Sequence, residues 1–404
     1  MVGSVGSEDS VGSERSVPAE PGPDRAGGAA GVPGSAAGLA GAGPGPAGVG
    51  AGRTGAGADR SGATADRPGP AADRPAATMR AVRLGPGMDY AVAEFPVPEP
   101  AAGQVLVEMA YASVCGSDVH LVDPDFHRPE MVGSPGYPGH EGVGRVVASR
   151  ADGIEPGAVV LTVPSGRFGG CFAEYQALDA GSVIPLREGD DLPHVLMAQQ
   201  LGCTIAALAK YWREGMRSAA VIGLGSAGQF FVQLLRARGV EVFASDVDAA
   251  RIAFGREAGA RAVHADELAA TVAQAHPEGV DLVIEAAGLD ATRALAIELV
   301  RVRGVVGNFG YPEFQVGTFP TMAAFRKAAT VEWFSNAQGE PGQWCFHEAL
   351  DAIRTGAIEV GHMTEVRMGL EDVPRALAIT AAHGEGAAKI TIAIRPESAI
   401  FEGS

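Results

Sequence analysis

The 404-residue sequence is short of cysteine and of positive charge, and each shortage excludes something. Four cysteines, Cys115, Cys171, Cys203 and Cys345, are too few and too scattered for a disulfide framework. A reducing compartment is therefore expected, and the thiols become candidates for metal or redox chemistry. Lys and Arg number 31 against 48 Asp and Glu, a formal net charge of −17. Nucleic-acid binding is not expected, because it is driven by clustered cations that release counterions from phosphate. No run of roughly 18 or more apolar residues occurs, so no membrane span is expected. The N-terminus has no charged segment followed by an apolar stretch and no twin arginine. That leaves no export signal and points to a cytoplasmic location.

A hydrophobic share of 46% against 20% charged is that of a globular chain, and the length suits two or three domains of roughly 150 residues each. The 57 Gly and 27 Pro are unevenly placed. Residues 1–78 are rich in both and hold no aromatic residue, so they lack the apolar surface to offset chain entropy and are expected to be disordered. Within them Ala-Asp-Arg recurs at Ala58, Ala65 and Ala72, but the interspersed Pro68, Pro70 and Pro75 exclude a coiled coil. Two readings stay open: an appended arm, or sequence upstream of a start at Met79.

From Met79 the texture changes to short β-rich runs bounded by Gly or Pro: 80–84, 105–111, 142–148, 159–163 and 172–178. They predict a small antiparallel, barrel-like domain. From about Ser218 a βαβ pattern takes over, with strands expected at 219–222 and 241–245 around a helix near 229–238. Strands at 281–285, 304–308 and 330–334 extend it, and a helix at 348–355 and an alternating strand at 389–394 close the chain.

Two constellations carry chemistry. The first is Gly223-Leu224-Gly225-Ser226-Ala227-Gly228, which follows a strand and opens a helix. Its glycines allow a tight turn, a close approach of backbone N–H groups to a pyrophosphate, and helix-on-strand packing. Asp246, at the end of the next strand, is placed to accept hydrogen bonds from ribose hydroxyls and to repel a 2′-phosphate, which favours NAD over NADP. Arg251 is a further candidate against the cofactor, with an exposed helix position as the plainer alternative. The second constellation is Cys115-Gly116-Ser117-Asp118-Val119-His120 with Gly139-His140-Glu141. Thiolate and imidazole suit Zn²⁺, and a catalytic zinc needs three protein ligands and an open position. Cys115 and His140 supply two; Cys203 or Glu141 supplies the third. Asp118 is placed to accept from a ligand. Cys171 and Cys345 lack partners at ligand spacing and are expected to be small buried residues.

These motifs, together with the Met-Arg-Ala opening at Met79, Phe172-Ala173-Glu174-Tyr175, Asp281 to Gly288 and Ala388-Lys389-Ile390, make residues 79–404 resemble the zinc-containing medium-chain dehydrogenase/reductase family. The resemblance implies an α/β protein with a split GroES-like catalytic domain, 79–217 and 339–404, around a Rossmann doubly wound parallel-sheet domain, 218–338. The active site is expected in the cleft between them. It also implies that Ser117 touches the reacting alcohol and that His120 is the outlet of a proton relay. The family's four-cysteine lobe is missing, so one catalytic zinc and no structural zinc is expected. A Gly-Cys-Gly-like register favours Cys203 as third ligand, whereas a polyol-type register puts Gln199 at a Glu position and turns to Glu141. The activity implied is NAD-linked oxidation of a secondary alcohol such as a polyol, sugar, cyclitol or amino alcohol, or the reverse, in a homodimer or homotetramer. A zinc-free enone or quinone reductase and a silent NAD-binding scaffold are the alternatives.

Overall fold

The computed structural model describes residues 78–85, 89–123, 129–164 and 169–398. The extension expected to be disordered lies outside the described residues except for Thr78, which opens the first strand.

Strands β1 (Thr78–Leu84) and β2 (Tyr90–Pro96) form an antiparallel pair. The long β3 (Gln104–Val114) is the spine of the first domain, buried along nearly all its length. It runs antiparallel to both β4 (Gly142–Ser149) and β6 (Tyr175–Asp179), while β5 (Val159–Thr162) and β7 (Val183–Pro185) extend the sheet beyond β4. The run expected at 172–178 begins at Tyr175 instead; before it, residues 172–174 meet β1 through an isolated bridge of Ala173 to Ala81, flanked by the bonds Val82 N–H to Phe172 O and Glu174 N–H to Arg80 O.

The second domain is a parallel sheet of β8 (Ser218–Ile222), β9 (Glu241–Asp246), β10 (Arg261–His264), β11 (Val280–Glu285), β12 (Val300–Asn308) and β13 (Thr330–Trp333). Their order is β10-β9-β8-β11-β12-β13, and every pairing is parallel. The order reverses between β8 and β11, so a crevice opens at the carboxyl ends of those two strands, where ligands bind in doubly wound folds.

The tail returns to the first sheet. Strand β14 (Arg367–Gly369) lies parallel to β15 (Ile390–Ala393), and β15 pairs antiparallel with β3, Ile390 opposite Val114. The first domain is thus split, and the residue before β15 is brought opposite the residue after β3.

Of the helices, α1 (Gly116–Leu121) follows β3 directly. Helices α2 (Leu192–Leu196) and α3 (Ala198–Tyr211) form a 20-residue run, long and apolar enough by composition to cross a membrane; 83% of its most apolar window is buried inside the protein, as befits a core helix. Helix α4 (Ser226–Ala237) starts at the glycine turn, three residues before the expected position.

Candidate active site

The site is built where β3 ends. Cys115 caps α1, and Asp118, one turn on, accepts the backbone N–H of Cys115 through Oδ2 at 2.9 Å. Its other oxygen, Oδ1, lies 2.8 Å from His140 Nδ1, just before β4. One fully buried carboxylate therefore fixes strand end, helix start and imidazole together. With Nδ1 engaged, Nε2 of His140 is the nitrogen left to face the cavity, 3.4 Å from Ser117 Oγ. Burial opposes charge on His140, but the facing Asp118 carboxylate and Cys115 outweigh it and hold its pKa well above the usual imidazole range.

The donor atoms of Cys115, His140 and Glu141 lie within 4.8 Å of one another. Glu141 is almost wholly buried, and its Oε2 is 2.6 Å from Lys389 Nζ and also accepts from Ser113 Oγ. Burial would raise the Glu141 pKa; Lys389 and His140 overcome this and lower it. Its second oxygen, Oε1, is buried without a partner. A thiol, an imidazole nitrogen turned toward the cavity and an unmet carboxylate oxygen, with the imidazole held from behind by a carboxylate, make a donor set that suits zinc once thiol and imidazole give up their protons.

Cys203 is not in this donor group. It is a partly buried residue of α3 that packs on the main apolar core, and burial pushes its thiol pKa strongly upward, Cys115 and Glu141 adding to the effect. It nevertheless lines the same cavity. The amide that reaches Cys115 is that of Gln200, Nε2 to Sγ 3.7 Å, rather than that of Gln199. Neighbouring positions on a helix point about 100° apart, so a one-residue error in register changes which side chain faces the sulfur. Cys171 and Cys345 are both fully buried.

At the switch point, Gly223 has φ +94°, and a Cβ on Gly228 would run into the carbonyl of Gly223, so turn and helix meet as closely as backbone allows. Gly225 caps α4, with Ser226 and Ala227 in its first turn, and all three line a cavity of about 380 Å³ together with Asp246. Asp246 Oδ2 accepts from the Leu224 N–H at 2.7 Å and Oδ1 from the Asp248 N–H at 3.0 Å. Arg251 lines the same cavity, but its guanidinium donates to the Ala387 carbonyl at 2.9 Å and lies 3.9 Å from Asp246. It fastens the parallel-sheet domain to the tail and is not the exposed helix residue considered as an alternative.

A second cavity of about 520 Å³ holds Cys115, Ser117, His140 and Glu141. Gly116, His120, Gln200, Ala227, Ala286 and Ala287 line both cavities, so the two are contiguous. His120 stacks on Tyr311 with ring centroids 4.9 Å apart, and burial lowers its pKa, partly opposed by Asp123 and Glu313. Lys389 and Gln200 carried no assigned role from sequence. Lys389 stood in a recognisable motif, but only the pairing of β15 with β3 shows that it faces Glu141.

Residues 101–188 match the alcohol dehydrogenase GroES-like domain and residues 227–353 the zinc-binding dehydrogenase domain, together more than half of the chain. An L-threonine 3-dehydrogenase of Bacillus licheniformis is 25% identical over 338 residues, covering 73% of this chain and 93% of the relative. A sorbitol dehydrogenase of Halalkalibacterium halodurans is 28% identical over 264 residues, covering 56% and 75%. Among solved structures, a zinc-binding dehydrogenase candidate of Sinorhizobium meliloti 1021, bound to NADP, superposes with a TM-score of 0.67 at 26% identity, covering 78% of this chain and 99% of the other. With both domain matches in chain order and a zinc-compatible corner open to the nucleotide crevice, the chain belongs to the zinc-containing medium-chain dehydrogenase/reductase family, as an oxidoreductase of alcohols.

Proposed function

We propose that this protein is a zinc-dependent, NAD-linked dehydrogenase that interconverts a secondary alcohol and its ketone by hydride transfer. The observation that carries this is the continuity of the two cavities: the Cys115, His140 and Glu141 donors open onto the same cleft as the glycine turn. Cys115, His140 and Glu141 Oε1 are the groups that would hold zinc, with Cys203 on the cavity wall behind them. Zinc held there would supply Lewis acidity to an alcohol oxygen, and NAD would supply the hydride acceptor.

The chain's own residues do the rest. Asp118 holds His140 in the tautomer that leaves Nε2 free. Ser117, beside that nitrogen, is placed to accept the hydroxyl proton. His120, whose pKa burial lowers and which reaches both cavities, can take the proton onward to solvent. Gly223, Gly225, Ser226, Ala227 and Gly228 are the residues that would cradle a pyrophosphate at the start of α4. Asp246 and the adjacent Asp248 disfavour a 2′-phosphate and set the preference for NAD over NADP. The open edge of the parallel sheet, β13 with its half-exposed Trp333, is where we place the contact of a homodimer or homotetramer. Sedimentation as a monomer would remove that assignment.

Metal analysis of the purified protein, followed by NAD reduction assays over polyols, cyclitols and simple alcohols, tests the proposal. Bound zinc and turnover that disappears in Cys115→Ala are expected. A zinc-free protein whose activity survives Cys115→Ala overturns it.

A further inference from the structure

The two domains meet ring to ring where the cavities join. His120, in α1 of the first domain, lies flat against Tyr311, in the loop that follows β12 of the second, with centroids 4.9 Å apart and planes 16° from parallel. Both rings line the 520 Å³ cavity, and His120 also lines the cavity over the glycine turn.

Tyr311 stands on braced backbone. The N–H groups of Phe309 and Gly310 both donate to the Glu285 carbonyl, which ties the end of β12 to the end of β11. Just beyond, Gly288 has φ +88°, and a Cβ there would strike the Tyr311 carbonyl; a Cβ on Gly310 would strike the Gly288 nitrogen. Two glycines therefore let the two loops close to backbone contact. The Gly288 carbonyl accepts from the Glu313 N–H at 3.0 Å and from Arg293 Nη2 at 2.7 Å, and Glu313 Oε1 accepts from the Asp290 N–H at 2.6 Å. The chain is thus fastened on both sides of Tyr311. His120 belongs to a helix of six residues held at its start by Asp118, and so short a helix has little stiffness of its own. Of the two rings, the tyrosine is the fixed one.

An imidazole that passes a proton along gains it at one ring nitrogen and releases one from the other, ending as it began. A hydrogen bond that held such a ring would occupy one of those nitrogens. A partner stacked on its face restrains the plane and makes no demand on either. Resting on the dehydrogenase reading above, we infer that Tyr311 is a positioning residue, whose ring holds the plane of His120 across the cleft so that the imidazole can carry the substrate's proton to solvent. The hydroxyl of Tyr311 has no part in this. Asp123, at the end of α1, and Glu313, on the loop of Tyr311, favour charge on His120, against the burial that disfavours it.

Two substitutions separate the ring from the hydroxyl: Tyr311→Phe keeps the stack and Tyr311→Leu removes it, with Tyr311→Met in reserve if the leucine variant does not fold. The first readout needs neither metal nor cofactor. In the unliganded protein the imidazole C–H proton resonances of His120, identified by their loss in His120→Gln, should sit upfield through the ring current of Tyr311, stay there in Tyr311→Phe and move downfield in Tyr311→Leu. In the zinc- and NAD-loaded enzyme, kcat/KM for an alcohol that the wild type oxidises should fall about tenfold at neutral pH in Tyr311→Leu and less than about twofold in Tyr311→Phe. That deficit should shrink in alkaline buffer, where hydroxide removes the proton without a relay, and should vanish when both proteins carry His120→Gln. Resonances unmoved in Tyr311→Leu, an equal loss in Tyr311→Phe, a deficit constant with pH, or one that persists without His120 overturns the inference and leaves the dehydrogenase reading standing. A wild type that oxidises no alcohol overturns that reading and this inference with it.

Discussion

The glycine turn of the parallel sheet and the cysteine–histidine corner of the antiparallel sheet line one cleft, but they are assembled from different materials. The turn is made of backbone: Gly223 and Gly228 bring main chain against main chain, and both oxygens of Asp246 are already held by the N–H groups of Leu224 and Asp248. Its main chain is closed before a ligand arrives, although the Ser245 hydroxyl in that cavity is buried without a partner. The corner is made of side chains from β3, α1, the start of β4, α3 and the tail, and it keeps unmet oxygens on Glu141, Gln200 and Gln338. On the dehydrogenase reading, a cofactor common to many enzymes would meet a largely preformed cradle, whereas the part that selects among alcohols would be completed by its ligands.

This contrast can be broken or sharpened by substitution. The largest effect is expected from Cys115→Ala or His140→Ala. Turnover should fall on the order of 10³-fold through loss of the metal's electrostatic contribution, with NADH affinity by fluorescence nearly unchanged. Loss of both properties together would show that the two halves are not separable. Next, Lys389→Met leaves Glu141 buried without its cation and should destabilise the fold by about 3–5 kcal/mol in urea denaturation. A midpoint equal to wild type would mean that Glu141 is neutralised by something else.

In the opposite half, Gly228→Ala should weaken NADH binding on the order of 10²-fold, because its Cβ must displace the Gly223 carbonyl. Zinc content should stay at the wild-type level, measured on the same preparation. Asp118→Asn removes the charge behind His140 and should raise zinc loss to a chelator by about 10–100-fold. The smallest effect is expected from Asp246→Ser, which should shift the NAD to NADP preference by about tenfold in kcat/KM. An unchanged ratio would place cofactor selection elsewhere in the crevice.

Much of the backbone-built half was visible in the sequence, because tight turns demand glycine at fixed spacing and the pattern is local. The strand, turn and helix from Ser218 to Ala237 are all contained in one short stretch. Cys115, Ser117, Asp118 and His140 were legible for a similar reason, each lying in a compact motif beside β3 or β4. The remainder depends on pairings between distant segments. Lys389 reaches Glu141 only through the β15–β3 register, and no local pattern carries that information. Gln200 and Cys203 were harder still. Their helix is apolar on nearly every side, so periodicity shows that it is buried but not which residue faces the sulfur. Thr78, too, gave no sign that it belongs to a strand, since its partner Pro96 lies beyond the next turn.

The split of the catalytic domain also has a consequence for biosynthesis. During translation β3, the glycine turn and the whole parallel sheet emerge well before Lys389 and the strand that follows it. Until that last segment leaves the ribosome, one edge of β3 is uncovered and Glu141 has no ammonium opposite it. A nascent or prematurely terminated chain can therefore fold its nucleotide-binding domain while its reaction corner stays unmade, and chemistry begins only with the finished polypeptide.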